Sequence, residues 1–146
     1  LSPNLGQPLK PLVKITSGGE LSRLMLALKV VSSGEDDVPT VIFDEIDTGI
    51  SGKVGQEVAK KLARLSRSHQ LLCVTHLPQI AAMADTHFYI DKYADDGQTY
   101  TRVRELGASE QISEIARLSG GRDITAQAET NAAELKEWCN KYKVSL

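Results

Sequence analysis

Residues Thr40–Glu45 read TVIFDE. Four β-branched or apolar positions run straight into two carboxylates, and Pro39 leads them in, which predicts a short buried strand ending in acids. The next two segments decide the kind of sheet. From Ser51 to about Arg67, Val54, Val58, Leu62 and Leu65 recur on one stripe of an amphipathic helix. Gln70–His76, QLLCVTH, is then a second buried strand, with Cys73 as a small core residue. Strand, helix, strand is a βαβ unit: the two strands should be parallel and the crossover right-handed.

Working outward, Glu20 to about Ser33 places Leu21, Leu24, Met25 and Leu28 at helical spacing, while Leu26, Ala27, Val30 and Val31 fill much of the other side. A helix apolar nearly all round is expected to be buried nearly all round. SSGEDD ends it, and the first fourteen or so residues, with Pro3, Pro8 and Pro11, form no regular element. Beyond the βαβ unit, LPQIAAMAD is a short helix with Pro78 in its first turn. THFYIDKY and QTYTRVREL flank ADDG, a hairpin signal. Helices follow at Ser109–Leu118 and Thr125–Lys143, the second with Ala128, Ala132, Leu135, Cys139 and Tyr142 at helical spacing. The expected fold is α/β: a mostly parallel sheet with flanking helices and an antiparallel hairpin at one side, residues 1–146 forming one domain or part of one.

The chain has 146 residues, 41% of them hydrophobic and 25% charged, which is ordinary globular usage. A net charge of −2 argues against a broad basic surface for DNA or anionic membrane and leaves room for a local patch. No apolar run approaches the ~18 residues needed to span a bilayer. Cys73 and Cys139 form no spaced metal motif and suit a reducing cytoplasm. The opening LSPNLGQPLKPL has no initiator Met and no signal peptide, and reads as a piece of a longer protein.

Ser-Gly-Gly occurs twice. Ser119-Gly120-Gly121 follows a helix, where glycine supplies the left-handed residue that caps the last carbonyls. Ser17-Gly18-Gly19 precedes a helix, and Ser17 with Glu20 forms a capping box. That box does not ask for glycine at the first two helical positions, where each costs about 0.5–1 kcal/mol against alanine. Bare amides at a positive helix end would admit a phosphate.

Asp44 and Glu45 stand at the C-terminal end of the first strand, the edge where open α/β sheets bind ligands. Paired acids after four apolar or β-branched positions form a Walker B pattern. One carboxylate holds Mg²⁺, usually through water; the other polarises the attacking water. His76 emerges one βα unit later at the same edge, within reach of a γ-phosphate or that water. His69 and His87 lack that placement and are expected to be surface or packing residues.

Taken in order, these motifs resemble the C-terminal half of an ABC-type ATPase head. SGGELSRLMLALK, VIFDEIDTGISGKVG and CVTHLPQIAAMAD are similar to the RecN family, bacterial double-strand-break repair ATPases related to the SMC proteins. The resemblance implies that Ser17, Gly18 and Gly19, with Glu20 closing the motif, form the signature loop that contacts the γ-phosphate of ATP on the opposite head. It makes Asp44 the Mg²⁺ residue, Glu45 the catalytic base and His76 the switch histidine. Ser51 falls where the general D-loop carries aspartate; Asp47 is the neighbour that could compensate. ATP and Mg²⁺ are the implied cofactors. The implied partners are double-strand DNA breaks, the protein's own N-terminal half and a second copy across the ATP sites, in the bacterial cytoplasm at the nucleoid and with no membrane. No G-x-x-x-x-G-K-[ST] occurs, so the Walker A loop of this family has no counterpart here. Two other readings compete: a nucleotide-binding subunit of an ABC transporter, disfavoured because Glu20 and LSRLMLALK replace the usual Gln and basic helix, and a non-catalytic dimerisation lobe.

Overall fold

The computed structural model describes residues 17–32, 37–121 and 123–146; the opening segment and part of SSGEDD lie outside them. Its elements run α1 (Gly18–Ser32), β1 (Thr40–Phe43), α2 (Gly52–Leu65), β2 (Gln70–Cys73), α3 (Pro78–Met83), β3 (Phe88–Asp95), β4 (Gln98–Glu105), α4 (Ala108–Gly120) and α5 (Ala126–Val144). The chain divides into two compact units, Leu1–Thr75 and His76–Leu146.

In the first unit β1 and β2 pair in parallel with Thr40 opposite Gln70 and Phe43 opposite Cys73, as the βαβ pattern requires. The ladder continues one step past β2, where the Val74 N–H donates to the Phe43 carbonyl at 2.9 Å. α2 buries Gly55, Val58, Ala59, Leu62, Ala63 and Leu65 and leaves Val54, at the head of the expected stripe, exposed. Two expectations fail in this unit. The strands are not buried on both faces: Phe43 is buried, but Ile42 is 68% exposed, and Leu72 and Val74 are exposed too. Cys73 is only half-buried. Nor is α1 buried all round. Of its residues only Gly19 and Leu26 are buried, while Leu21, Met25, Leu28 and Val31 face solvent. The reason is the same for both. An apolar pattern says which surfaces can be covered, and where α1 packs against α2 and the turn after β1 it buries only Gly19 and Leu26.

In the second unit β3 and β4 pair antiparallel from Phe88 opposite Glu105 to Asp95 opposite Gln98. The two-residue turn Asp96-Gly97 has φ of 46° and 76°, the left-handed pair of a type I′ hairpin, as ADDG predicts. Tyr93 and Tyr100 stack across it with centroids 5.6 Å apart. Contrary to expectation the hairpin does not join the parallel pair. It forms a two-stranded sheet of its own, paired from Phe88–Glu105 to Asp95–Gln98. α3, α4 and α5 pack on one another around Ile80, Met83, Ile115, Ala132 and Cys139. Burial pushes the Cys139 thiol up to about 11. Lys136 and Lys143 on α5 tie down the end of α3 through the Ala84 carbonyl at 2.8 Å and the Asp85 carboxylate at 2.7 Å.

Candidate functional site

The start of α1 is capped as its sequence predicts. The Ser17 N–H donates to Glu20 Oε2 at 2.9 Å, and the Glu20 N–H donates to Ser17 Oγ at 3.4 Å. Gly18 and Gly19 take the first two helical positions. The structure supplies a reason for them from within the chain. A Cβ on Gly19 would lie 2.8 Å from the Glu45 carbonyl oxygen and 2.9 Å from that of Thr48; a Cβ on Gly18 would lie 2.6 Å from Glu45 Oε2. The turn after β1 is laid directly on the helix start, so a side chain on Gly19 would push it off.

That turn is held by α1. Ser22 Oγ donates to the Asp44 carbonyl at 2.9 Å. Arg23 Nη1 donates to the carbonyls of Ile46 at 3.0 Å and Thr48 at 2.9 Å. Asp44 Oδ1 accepts the Glu45 N–H at 2.9 Å, which orients the Asp44 carboxylate. Glu45 itself has φ of 56°, a left-handed conformation that costs a residue with a Cβ about 1–2 kcal/mol. Its carbonyl accepts the Thr48 N–H at 3.1 Å, closing the turn. Asp47, the neighbour that could compensate for the D-loop aspartate, is only 2% exposed and accepts Thr75 Oγ1 at 2.6 Å. Ser51 is exposed at the N-cap of α2, and its side chain makes no capping bond. Ser17, Gly18, Gly19, Glu20, Asp44 and Glu45 therefore come together in the first unit, with Asp47 buried beneath. His76 is exposed and begins the second unit directly after Thr75.

The other Ser-Gly-Gly is a helix end. Gly121 has φ of 88° and its N–H donates to the Arg117 carbonyl at 2.8 Å, while Ser119 Oγ donates back to Ile115 at 2.8 Å. His69 and His87 are packing residues: His69 is buried with Nδ1 2.8 Å from Ser68 Oγ, and His87 is half-buried.

Sequence reasoning missed Ser22, Arg23 and Thr75. Ser22 and Arg23 were visible as a polar pair inside the apolar run LSRLMLAL, but their acceptors are main-chain carbonyls, which carry no sequence signal.

Asp44 and Glu45 are exposed, and among the described residues no three His, Cys, Asp or Glu side chains converge. This donor set fits a cation held by one carboxylate and completing its shell with water and phosphate oxygens, which is the habit of Mg²⁺. Cys73 adds no thiolate: burial first, then Asp47 and Asp44, push its thiol up to about 12.

No family model matches the chain. Curated relatives do. It is 49% identical over 145 residues to the DNA repair protein RecN of Bacillus subtilis, covering 99% of this chain and 25% of that protein. It is 49% identical over 143 residues to RecN of Halalkalibacterium halodurans, covering 98% of this chain and 25% of the relative. RecN of Streptomyces coelicolor is 45% identical over 137 residues, 94% of this chain and 24% of the relative. The chain belongs to the RecN family. It spans about a quarter of the length of those RecN proteins. No helix among its described residues is long and apolar enough to cross a membrane.

Proposed function

We propose that this chain is the C-terminal lobe of an ABC-type ATPase head in a RecN-type protein that acts on DNA double-strand breaks. The observation that carries the reading is the Asp44–Glu45 turn held against the start of α1, in a chain whose relatives are named DNA repair proteins. In this reading Asp44 holds Mg²⁺, mostly through its water, and Glu45 accepts the proton of the water that attacks the γ-phosphate of ATP. Ser17, Gly18 and Gly19 meet the phosphate of a nucleotide bound by a second copy, and Glu20 secures that loop. Asp47 serves from below by fixing the turn. Ser51 contributes from the start of α2, and His76 keeps the switch-histidine role that the family resemblance implies. The Walker A half of the same protein supplies the main phosphate cradle, so the lobe alone hydrolyses no ATP. The protein works in the cytoplasm at the nucleoid.

The test uses the full-length protein. Glu45→Gln is nearly isosteric but cannot take a proton, so ATP binding should persist while turnover falls about 10²–10⁴-fold. Ser17→Arg puts a long side chain where phosphate must approach bare amides. It should still bind ATP through its Walker A loop yet fail to hydrolyse, and mixing it with a Walker A variant should restore activity through one composite site per dimer. Ser119→Arg should leave activity intact. No recovery on mixing folded, associating variants removes the trans role, and normal turnover in Glu45→Gln removes the base.

A further inference from the structure

Four carbonyls of the acid turn face α1. The Asp44 carbonyl accepts from Ser22, the Glu45 carbonyl oxygen lies 2.8 Å from where a Cβ on Gly19 would be, and the Ile46 and Thr48 carbonyls share Arg23 Nη1. A charged donor on a half-buried helix position has thus been given to two neutral main-chain acceptors that bracket Asp47. Neither carbonyl belongs to α1 or to a strand, so without the guanidinium the turn loses the donors that fix its middle and its end. Arg23 also sits within two turns of Ser17, on the same rigid element. We infer that Arg23 is a positioning residue: it holds the Asp44–Glu45 turn in register with the Ser17–Gly19 helix start, so that a displacement of one is transmitted to the other. Gly19 permits the approach, Ser22 sets the near end, and Arg23 fixes the far end. A planar fork with two hydrogens on one nitrogen can serve both carbonyls from a fixed direction; a lysine ammonium, on a differently shaped stem, serves them less well.

The inference rests on the ATPase reading, and the experiment separates the two. In the full-length protein, kcat and KM for ATP are measured for Arg23→Ala, Arg23→Lys, Glu45→Gln and the Arg23→Ala/Glu45→Gln double variant, the slow ones by single turnover. Arg23→Ala should lower kcat by about tenfold, with KM for ATP changed less than about twofold, because the turn is misplaced and the phosphate cradle is untouched. Arg23→Lys should recover part of the loss. The double variant should be no slower than Glu45→Gln alone, since Arg23 acts through that carboxylate. A wild-type kcat in Arg23→Ala beside an inactive Glu45→Gln overturns the positioning role. So does a double variant slower than Glu45→Gln by the full factor of Arg23→Ala, which is the signature of general destabilisation. A normal turnover in Glu45→Gln removes instead the base role of Glu45 on which the inference rests, and a wild-type protein without turnover overturns the ATPase reading. If Arg23→Ala fails to fold, Arg23→Lys carries the same comparison: a reduced kcat at unchanged KM supports the role, and a wild-type kcat ends it.

Discussion

At the scale of single residues, Gly18 and Gly19 look interchangeable and are not. The atom facing Gly18 is the end of the flexible Glu45 side chain, whereas those facing Gly19 include two main-chain carbonyls. Gly18→Ala should therefore displace only the Glu45 carboxylate and leave thermal stability near wild type. Gly19→Ala has to move the turn itself and should destabilise the first unit by about 1–3 kcal/mol, the usual cost of overpacking. Denaturant unfolding of the two variants checks this, and equal stabilities would contradict the arrangement. Glu45 carries a second residue-level consequence. In its left-handed conformation a β-branched side chain is worse than an unbranched one. Glu45→Val should then be less stable than Glu45→Gln by about 1 kcal/mol or more, with Glu45→Gly no worse than Glu45→Gln. Equal unfolding midpoints for Val and Gln would show that the left-handed backbone is not populated.

Among the elements, α5 offers a simple test of local chemistry. Thr125 Oγ1 accepts the Ala128 N–H at 3.1 Å and caps the helix. Thr125→Ala should cost about 1 kcal/mol of stability, read as a shifted denaturant midpoint at unchanged slope. The entrance to β3 adds a pH dependence. His87 has its pKa lowered by burial, with Lys136 acting in the same direction and Glu114 opposing. A histidine depressed in the folded state is protonated more readily when unfolded. Its contribution is therefore whole above about pH 6.5 and fades as pH falls below that. Replacing His87 with Gln should flatten the stability profile between about pH 7 and 5, and an unchanged profile would contradict a depressed His87. The elements themselves were largely legible in the sequence. Helical spacing found α1, α2 and α5, and Asp96-Gly97 fixed the hairpin. What was not legible was company. Leu21, Met25 and Leu28 follow a buried pattern and Ile42 sits in a buried-looking strand, but periodicity marks a surface that can be covered without supplying the cover. Sheet membership escaped for the same reason, since the letters of β3 favour a strand without naming its neighbour. The paired acids, the capping box and the helix-ending glycine at Gly121 were readable from neighbours in the chain. The bonds from Ser22 and Arg23 were not, because any residue offers a carbonyl.

For the whole molecule, the exposed apolar surface of the first unit sets an expectation about the isolated chain. Ile42, Leu72 and Val74 on the sheet, with Leu28 and Val31 on α1, are the kind of surface that binds dyes and other copies. The chain by itself should enhance the fluorescence of an apolar dye and show a concentration-dependent sedimentation coefficient, and the full-length protein should do so far less per mole of this segment. Equal dye binding by the two would mean that this surface stays uncovered in the longer protein. The same strand pairing has a consequence for the order in which the chain assembles. The hairpin closes through Asp95 and Gln98, across a turn of two residues, whereas Thr40 meets Gln70 thirty positions away. Local closure of the first kind takes microseconds, and ladders between distant strands come later because the intervening chain must first be organised. The acid turn depends on that late event, since the Val74 N–H and Thr75 Oγ1 reach Phe43 and Asp47 only once β2 lies beside β1. During synthesis, the carboxylates are thus made before the stretch that fastens them and put in place only after that stretch has left the ribosome.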